Sequence, residues 1–239
     1  MNGIRTHALV QGAGPPLVLV PGLACAHFYF RELQTQLATH FQVWAYDPPG
    51  HGYSRAPAGT FLTLEGLAGH LAAWLRATRL EGAPLLGHSL GGDVLLRLAA
   101  RSPSGVGCLV LCAPAARPDT PGALGQLLRL LAEGRKVRPV FLARLAWSYL
   151  HAGPRRAWGL LTHLRRADPR DWAGQVHAPT LILEGADDDV VRSRALEVLQ
   201  GPLPNARLIR VPGASHALID GQARNPARLV RAFVLPRRP

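Results

Sequence analysis

Residues 85–103 read LLGHSLGGDVLLRLAARSP, from Leu85 to Pro103. The stretch opens with a short apolar run, is interrupted by the glycine-rich GHSLGG, and continues with the spacing of a helix. Ser89 therefore lies on a sharp bend between a predicted strand and a predicted helix, with Gly87 and Gly91 on either side. Side chains at those two positions would clash in so tight a turn. A serine held on such a bend is typical of a serine that performs chemistry.

The helix predicted after Ser89 favours the same interpretation. Its first N–H groups have no partner within the helix, and they present a positive end to any negative charge formed beside the serine. The pattern Gly-x-Ser-x-Gly also occurs by chance in loops rich in glycine and serine. Between the apolar run APLL and the helical GDVLLRL, that explanation is weak. Ser89 is therefore a candidate nucleophile.

A serine nucleophile needs a general base, and the base needs an acid that orients it. Candidate acids follow a predicted strand in PTLILEGADDDVV, where Asp187, Asp188 and Asp189 are adjacent. Three adjacent carboxylates repel one another, so a loop that keeps all three should use at least one.

The candidate base is His216, which lies in ARLIRVPGASHAL after the last predicted strand. Of the other histidines, His88 occupies the variable position of the serine turn, and His51 belongs to a Gly-His-Gly turn. The resulting chain order of serine, acid and histidine is one that serine hydrolases use.

The length and composition indicate a globular protein. A chain of 239 residues that is 48% hydrophobic can bury a sizeable core and suits one domain, with or without an insertion. Its apolar runs have the length of strands and fall short of the ~18 residues needed to cross a bilayer. The N-terminal sequence lacks the regions of a signal peptide. We expect a cytoplasmic protein without a membrane span.

Three cysteines, Cys25, Cys108 and Cys112, form an odd number without metal-ligand spacing. Cys108 and Cys112 are four residues apart in a predicted strand, roughly 13 Å from each other, which is too far for a disulfide. We expect three reduced thiols.

The formal net charge of +12 raises the question of nucleic-acid binding. The positive charge is nearly all arginine, with Lys136 as the only lysine, and no DNA- or RNA-binding motif accompanies it. We therefore expect no nucleic-acid partner. Residues 117–172 nevertheless hold eleven Arg or Lys against four Asp or Glu. This basic segment is either a solvated surface or a surface for an acidic partner.

Seven short apolar runs separated by helical patterns predict the architecture. Several of them are continuous rather than alternating, as in strands buried on both faces of a parallel sheet. The sequence therefore predicts an α/β fold, a mostly parallel twisted sheet with helices on both faces. The predicted strands are Ile4–Val10, Leu17–Val20, Val43–Tyr46, Pro84–Leu86, Val106–Leu111, Thr180–Leu183 and Arg207–Val211. Near the C-terminus, Asn225 and Pro226 read as the N-cap and first residue of a last helix.

One interval interrupts the alternation of strands and helices. Residues 114–175 contain leucine-rich helical patterns and no good strand. We expect a helical insertion at 114–175 between two parts of a core, 1–113 and 176–239. Some apolar side chains of the insertion should face a cleft, while most pack among themselves. The candidates are Leu127, Leu131, Phe141, Leu145, Trp147 and Trp158.

Together, these motifs resemble the α/β-hydrolase family over nearly the full length of the chain. The matching segments are NGIRTHALVQGAGPPLVLVPG (2–22), YDPPGHGYSRAP (46–57), GHSLGG (87–92), PTLILEGADDDVV (179–191) and VPGASHAL (211–218). The resemblance implies the α/β-hydrolase fold with a helical cap, and a serine esterase or lipase-like enzyme. Serine at the elbow separates the chain from the dehalogenase and epoxide hydrolase branches, which carry aspartate there.

The resemblance also implies roles for single residues. In the family's Gly-x-x-Asp pattern the acid stands three residues after the glycine, which selects Asp188; Asp119 is a weaker alternative. The catalytic residues implied are then Ser89, Asp188 and His216. The chain has Pro21-Gly22 where the family usually has His-Gly, but the oxyanion donors are backbone amides. By position these are Leu23 and Leu90, each worth about 2–4 kcal/mol in comparable enzymes.

The activity expected from this resemblance is hydrolysis of carboxylic esters with short-to-medium apolar acyl groups, through an acyl-enzyme and without metal or cofactor. The basic segment leaves open an ester or thioester presented by an acidic partner such as acyl carrier protein. Hydrolysis of a carbon–carbon bond uses the same triad and is also open. A non-catalytic scaffold with this fold is disfavoured because such proteins typically lose triad members.

Overall fold

The computed structural model describes residues 4–57, 59–115, 129 and 132–235, and these residues contain one seven-stranded sheet. The strands are β1 (Ala8–Gln11), β2 (Pro16–Val20), β3 (Gln42–Tyr46), β4 (Leu85–His88), β5 (Leu109–Cys112), β6 (Thr180–Gly185) and β7 (Ala206–Val211). Their order across the sheet is β1-β3-β2-β4-β5-β6-β7. β1 pairs with β3 in the antiparallel sense, and every other pair is parallel. The predicted mostly parallel sheet is confirmed.

The described helices lie on both faces of this sheet. They are α1 (Arg31–Leu37), α2 (Leu64–Ala77), α3 (Leu90–Arg101), α4 (Pro139–Ala152), α5 (Pro154–Arg166), α6 (Arg170–Ala173), α7 (Ser193–Gln200) and α8 (Arg224–Val234). Short 3-10 turns cover His27–Phe30 and Pro103–Gly105. α2, α3 and α7 bury side chains in the hydrophobic cluster on one face, and α1 and α8 do so on the other.

The residues of β2 show why its sequence is apolar throughout. Val18 and Val20 belong to the cluster on one face, whereas Leu17 and Leu19 belong to the cluster on the other. Successive side chains of a strand point to opposite faces, so a strand covered on both sides needs apolar residues at every position.

All seven predicted strands differ from the observed ones by at least one residue, and two of them begin three or four residues later than predicted. β1 begins at Ala8 rather than Ile4, because the chain before it binds the loop after β3: the His7 amide donates to Ser54 Oγ at 2.8 Å. β5 begins at Leu109 rather than Val106, whose amide closes the preceding 3-10 turn on the Pro103 carbonyl.

The last helix begins earlier than predicted. α8 starts at Arg224, after Ala223, so Asn225 is not its N-cap and Pro226 is its third residue. Proline is tolerated there because the first four N–H groups of a helix lack intrahelical acceptors in any case. The N-cap prediction was therefore wrong by two residues.

Between β5 and β6, the described residues are helical and contain no strand. α4 packs on the 3-10 turn His27–Phe30, and α5 packs on α2. No helix in the described ranges combines the length and apolar character required to cross a bilayer. All three cysteines are free thiols, as expected.

Candidate active site

Ser89 occupies the bend between β4 and α3. Its φ of 52° and ψ of −125° are rare for a residue with a side chain, a kind of strain that concentrates at functional sites. A Cβ at Gly87 would lie 2.6 Å from the carbonyl carbon and oxygen of Gly91, and a Cβ at Gly91 would lie 2.3 Å from the Val20 oxygen. Both flanking glycines are therefore required by close backbone approach.

Asp188 and His216 meet at the carboxyl ends of β6 and β7. Asp188 Oδ2 lies 2.9 Å from His216 Nδ1, and the aspartate side chain is 1% exposed. Its Oδ1 accepts the Val190 and Val191 amides at 2.7 and 2.8 Å. Burial alone raises the pKa of Asp188, but His216 and these two amides outweigh it and hold the pKa below the ordinary value.

His216 is shifted in the opposite direction. Burial alone lowers the pKa of His216, but attraction to Asp188, their hydrogen bond and the nearby Glu133 carboxylate raise it above the ordinary value. The shift arises because the charged imidazole has two carboxylates nearby.

Ser89 and His216 line the same cavity, of about 470 Å³. Among the described residues, no hydrogen bond connects the Ser89 hydroxyl to His216. Catalytic hydrogen bonds are often long without substrate and tighten when it binds. The structure thus brings all three sequence-predicted side chains to one site, with the acid and base in direct contact.

The loop that carries Leu23 and the helix that begins at Leu90 both adjoin Ser89. Leu90 is the first residue of α3, so its N–H has no acceptor within the helix. A Cβ built at Gly22 would lie 3.4 Å from Ser89 Cβ, which places the loop carrying Leu23 against the serine. Neither amide is a donor in any hydrogen bond described for this structure.

The cavity wall is mainly apolar, and α4 and α5 form part of it. Its apolar side chains from these helices are Phe141, Leu142, Leu145, Ala146, Leu161 and Leu164. Phe141 and Leu145 therefore face the cleft as the sequence allowed, one helical turn apart. Trp147 and Trp158 do not line it and are 52% and 61% exposed, because they lie on the outward faces of their helices. Leu127, Leu131 and the alternative acid Asp119 lie outside the described residues.

Three polar residues of the site were not identified from the sequence. His88 places Nε2 2.8 Å from the His216 carbonyl oxygen, and its Nδ1 pairs with the Tyr29 hydroxyl. Glu133 is buried in the cavity wall, and its Oε1 accepts the Ala217 amide at 3.2 Å. No pattern around Tyr29 or Glu133 marks them as polar core residues, whereas the position of His88 beside the nucleophile was a signal.

Many charges of the basic segment are engaged within the molecule. Lys136 and Arg138 form ion pairs with Asp189 and Asp220 at 2.5 and 2.6 Å. Arg156 is buried, and its guanidinium faces backbone carbonyls. The exposed basic surface is accordingly smaller than the sequence count implies.

One group of potential metal ligands stands out among the described residues, away from the cavity wall: His7, His27 and Asp47. Both histidines place Nδ1 within 2.9 Å of Asp47 Oδ2, and the Tyr53 amide donates to the same oxygen at 3.0 Å. These contacts explain the group as a hydrogen-bonded junction between the N-terminal segment and two loops.

Comparisons with known proteins agree with this architecture. The sequence model described as alpha/beta hydrolase fold matches residues 15–135. Polyketide synthase ThaQ of Burkholderia thailandensis is 33% identical over 95% of this chain, which spans only 12% of that much longer protein. The pimeloyl-[acyl-carrier protein] methyl ester esterase of Xanthomonas axonopodis pv. citri is 30% identical, over 95% of this chain and 98% of the esterase.

A solved structure supports the same relationship. The enol-lactonase of Burkholderia xenovorans has a TM-score of 0.83 and 25% identity, over 98% of this chain and 97% of the lactonase. Sequence and structure both match along nearly the whole chain, including the strands that carry the candidate site. The chain belongs to the α/β-hydrolase family.

Proposed function

We propose that this protein, a hydrolase by family, cleaves carboxylic esters through Ser89, His216 and Asp188. The observation that carries the proposal is the Asp188–His216 hydrogen bond of 2.9 Å in a cavity that also holds a serine on a strained, glycine-flanked bend. That arrangement supplies a nucleophile, a base and an acid that orients the base.

In the proposed mechanism, the Ser89 hydroxyl attacks the ester carbonyl while His216 Nε2 takes its proton. Asp188 holds Nδ1–H and stabilises the imidazolium that forms. The Leu23 and Leu90 amides bind the oxyanion. The protonated His216 then gives its proton to the leaving alcohol, and a water molecule activated by the same nitrogen releases the acid from Ser89.

The shape and lining of the cavity favour an apolar acyl group. Its volume of about 470 Å³ lies within the range of small-molecule sites, and its wall is rich in leucine and aromatic side chains. We infer short-to-medium acyl chains because such a volume fills well with a chain of intermediate length. Each methylene that enters contributes about 0.8 kcal/mol.

A series of p-nitrophenyl esters from acetate to palmitate tests the proposal. The specificity constant should rise with chain length, reach a maximum at intermediate chains and then fall. Ser89→Ala should lower hydrolysis by roughly 10⁴-fold or more. Ser104→Ala, at an exposed serine outside the cavity, is the matched control and should match wild type. Full activity of the Ser89→Ala protein would refute the proposed nucleophile.

A second candidate substrate is an acyl ester carried by an acidic carrier protein. The Xanthomonas relative is named for such a substrate. In this chain, residues 134–167 contain eight Arg or Lys and no Asp or Glu, and Arg155 among them is exposed. Such a surface would attract an acidic carrier and steer its approach.

The two candidates differ in their dependence on salt. If the carrier is recognised, a methyl ester on acyl carrier protein should be cleaved faster than the free methyl ester. That advantage should shrink between about 50 and 500 mM salt and in Arg155→Glu. Equal rates for both forms at every salt concentration would rule out the carrier candidate and leave the small ester.

A further inference from the structure

The side chains of Glu133, Lys136 and Arg138, here called the brace, contact both loops that carry the proposed acid and base. The acid loop is residues 186–192, and the histidine loop is residues 212–220. Lys136 Nζ lies 2.7 Å from the Asp187 carbonyl oxygen and 2.5 Å from Asp189 Oδ2. Glu133 and Arg138 bind the histidine loop.

The contacts of Arg138 anchor the far end of the histidine loop. Its Nε and terminal nitrogen donate to Asp220 at 2.9 and 2.6 Å, and the Asp220 side chain is 2% exposed. A bidentate pair of this kind fixes orientation as well as distance. One short segment before α4 therefore holds the acid loop at one end and the histidine loop at two points.

The peptide group between His216 and Ala217 is held from both sides. His88 Nε2–H donates to its carbonyl at 2.8 Å, and Glu133 Oε1 accepts its N–H at 3.2 Å. Burial lowers the pKa of His88 to about 3, so the ring is neutral, and the Tyr29 hydroxyl at Nδ1 leaves the proton on Nε2. A peptide fixed at its C=O and its N–H cannot rotate, and His216 is attached directly to it.

Lys136 binds the acid loop on both sides of Asp188. It is the only lysine of the chain, and its contacts fall on the residues before and after Asp188. The three adjacent aspartates thus divide their tasks: Asp188 reaches His216, Asp189 pairs with the brace, and the Asp187 backbone accepts from it.

We propose that the brace is a positioning device that holds the proposed acid and base in register, with Glu133 as a positioning residue for His216. The inference rests on the proposed function and assigns roles to residues that lie outside the triad. Because Glu133 also lines the cavity, the wall that receives the substrate is continuous with the support of the base.

The charge of Glu133 gives the proposal a readout beyond folding. Its Oε2 is buried without a hydrogen-bond partner among the described residues. The carboxylate is near enough to raise the pKa of His216, in addition to the larger influence of Asp188. Glu133→Gln keeps an oxygen for the Ala217 amide and removes the charge, so it separates the two contributions of this side chain.

The experiment compares Glu133→Gln, Glu133→Ala, Lys136→Met and Arg135→Met by pH–rate profiles with a p-nitrophenyl ester. Glu133→Gln should lower the apparent pKa of the rising limb by about 0.5–1 unit and should lower kcat less than Glu133→Ala does. Glu133→Ala and Lys136→Met should lower kcat about tenfold and change KM less than twofold. Arg135 is exposed, and its side chain makes none of the described contacts, so Arg135→Met should match wild type.

A second readout does not require activity. In the Ser89→Ala background, the His216 ring should titrate by NMR at lower pH when Glu133 is replaced by Gln, in protein whose thermal unfolding shows it to be folded. An unchanged titration of His216, or equal losses of kcat in Lys136→Met and Arg135→Met, would contradict the proposed role of the brace. Absence of ester hydrolysis by wild type would instead overturn the proposed function, and the titration would still decide the role of Glu133.

Discussion

Ser89 combines an unusual backbone conformation with a position at the start of a helix. A φ of 52° costs of order 1–3 kcal/mol for a residue with a side chain, and the surrounding glycines and β2 hold it there. The strain projects the hydroxyl into the cavity shared with His216. A structural serine would have no need of this conformation.

The raised pKa of His216 predicts the pH dependence of catalysis. His216, as the proposed base, must be neutral to accept a proton, so kcat/KM should rise with pH to a plateau, with a midpoint above the ordinary imidazole value of about 6.5. Asp188→Asn removes the negative charge that raises the pKa of His216 most, so it should move the midpoint down while lowering the plateau by roughly 10⁴-fold. A wild-type midpoint below 6.5 would contradict the assigned pair.

The same pair has a defined effect on folding stability. A histidine whose pKa is raised on folding stabilises the protein below its unfolded pKa, and this contribution is lost as pH rises through the folded pKa. The lowered pKa of Asp188 affects stability at acidic pH. Its contribution is present above the ordinary carboxyl pKa and is lost as pH falls through the folded value.

At the residue scale, sequence reasoning found side chains with a recognisable neighbourhood. The bend around Ser89 and the spacing from Gly185 to Asp188 are local signals, and the structure brings these residues together with His216 as expected. No sequence pattern marks Glu133 as a site residue, because its hydrogen-bond partner is a backbone amide 84 residues away. Only the fold creates that contact.

Among the secondary-structure elements, the approach of α3 to β2 is decisive for the site. Gly91 lies in the first turn of α3, and a Cβ there would meet the Val20 and Pro21 oxygens at 2.3 and 2.7 Å. An added methyl group must push the helix away from the strand that leads into the Leu23 loop. The position of the helix is thereby coupled to that of the Leu23 and Leu90 amides, the proposed oxyanion donors.

A matched pair of glycine variants tests this coupling. Gly91→Ala should lower the free energy of unfolding by about 1–3 kcal/mol and impair hydrolysis, because backbone atoms must move. Gly69 lies on the exposed face of α2, where a Cβ would meet nothing within 4 Å. Gly69→Ala should therefore raise the free energy of unfolding by about 0.5–1 kcal/mol. Urea denaturation measures both changes. Equal stability of the two variants would show that the close approach is absent in solution.

Most elements could be predicted because apolar periodicity reports burial directly. The ends of elements could not be predicted, since they depend on contacts outside the element. The His7 amide donates to Ser54 Oγ before β1 begins, and the Val106 amide closes a turn before β5. The outward positions of Trp147 and Trp158 were also hidden. Aromatic residues in a helical pattern do not reveal which of two apolar faces meets the cavity.

At the scale of the whole molecule, the parallel sheet gathers residues that are distant in the chain. The carboxyl ends of β4, β6 and β7 present Ser89, Asp188 and His216 at one edge, as expected for open α/β sheets. The helices between β5 and β6 add part of the apolar wall, and we propose that they act as the cap. Part of the positive charge of the segment that contains them is engaged within the protein, at Lys136, Arg138 and Arg156, whereas Arg135 and Arg155 are exposed.

The most direct test of the account is covalent labelling with a fluorophosphonate, followed by mass spectrometry of the intact protein and its peptides. A serine activated by His216 should take up one equivalent, located on the peptide that carries Ser89. Ser89→Ala should remain unlabelled, and Ser104→Ala should label at the wild-type rate. Labelling of Ser89→Ala at the wild-type rate, or no labelling of folded wild-type protein, would contradict the claim that Ser89 is the nucleophile.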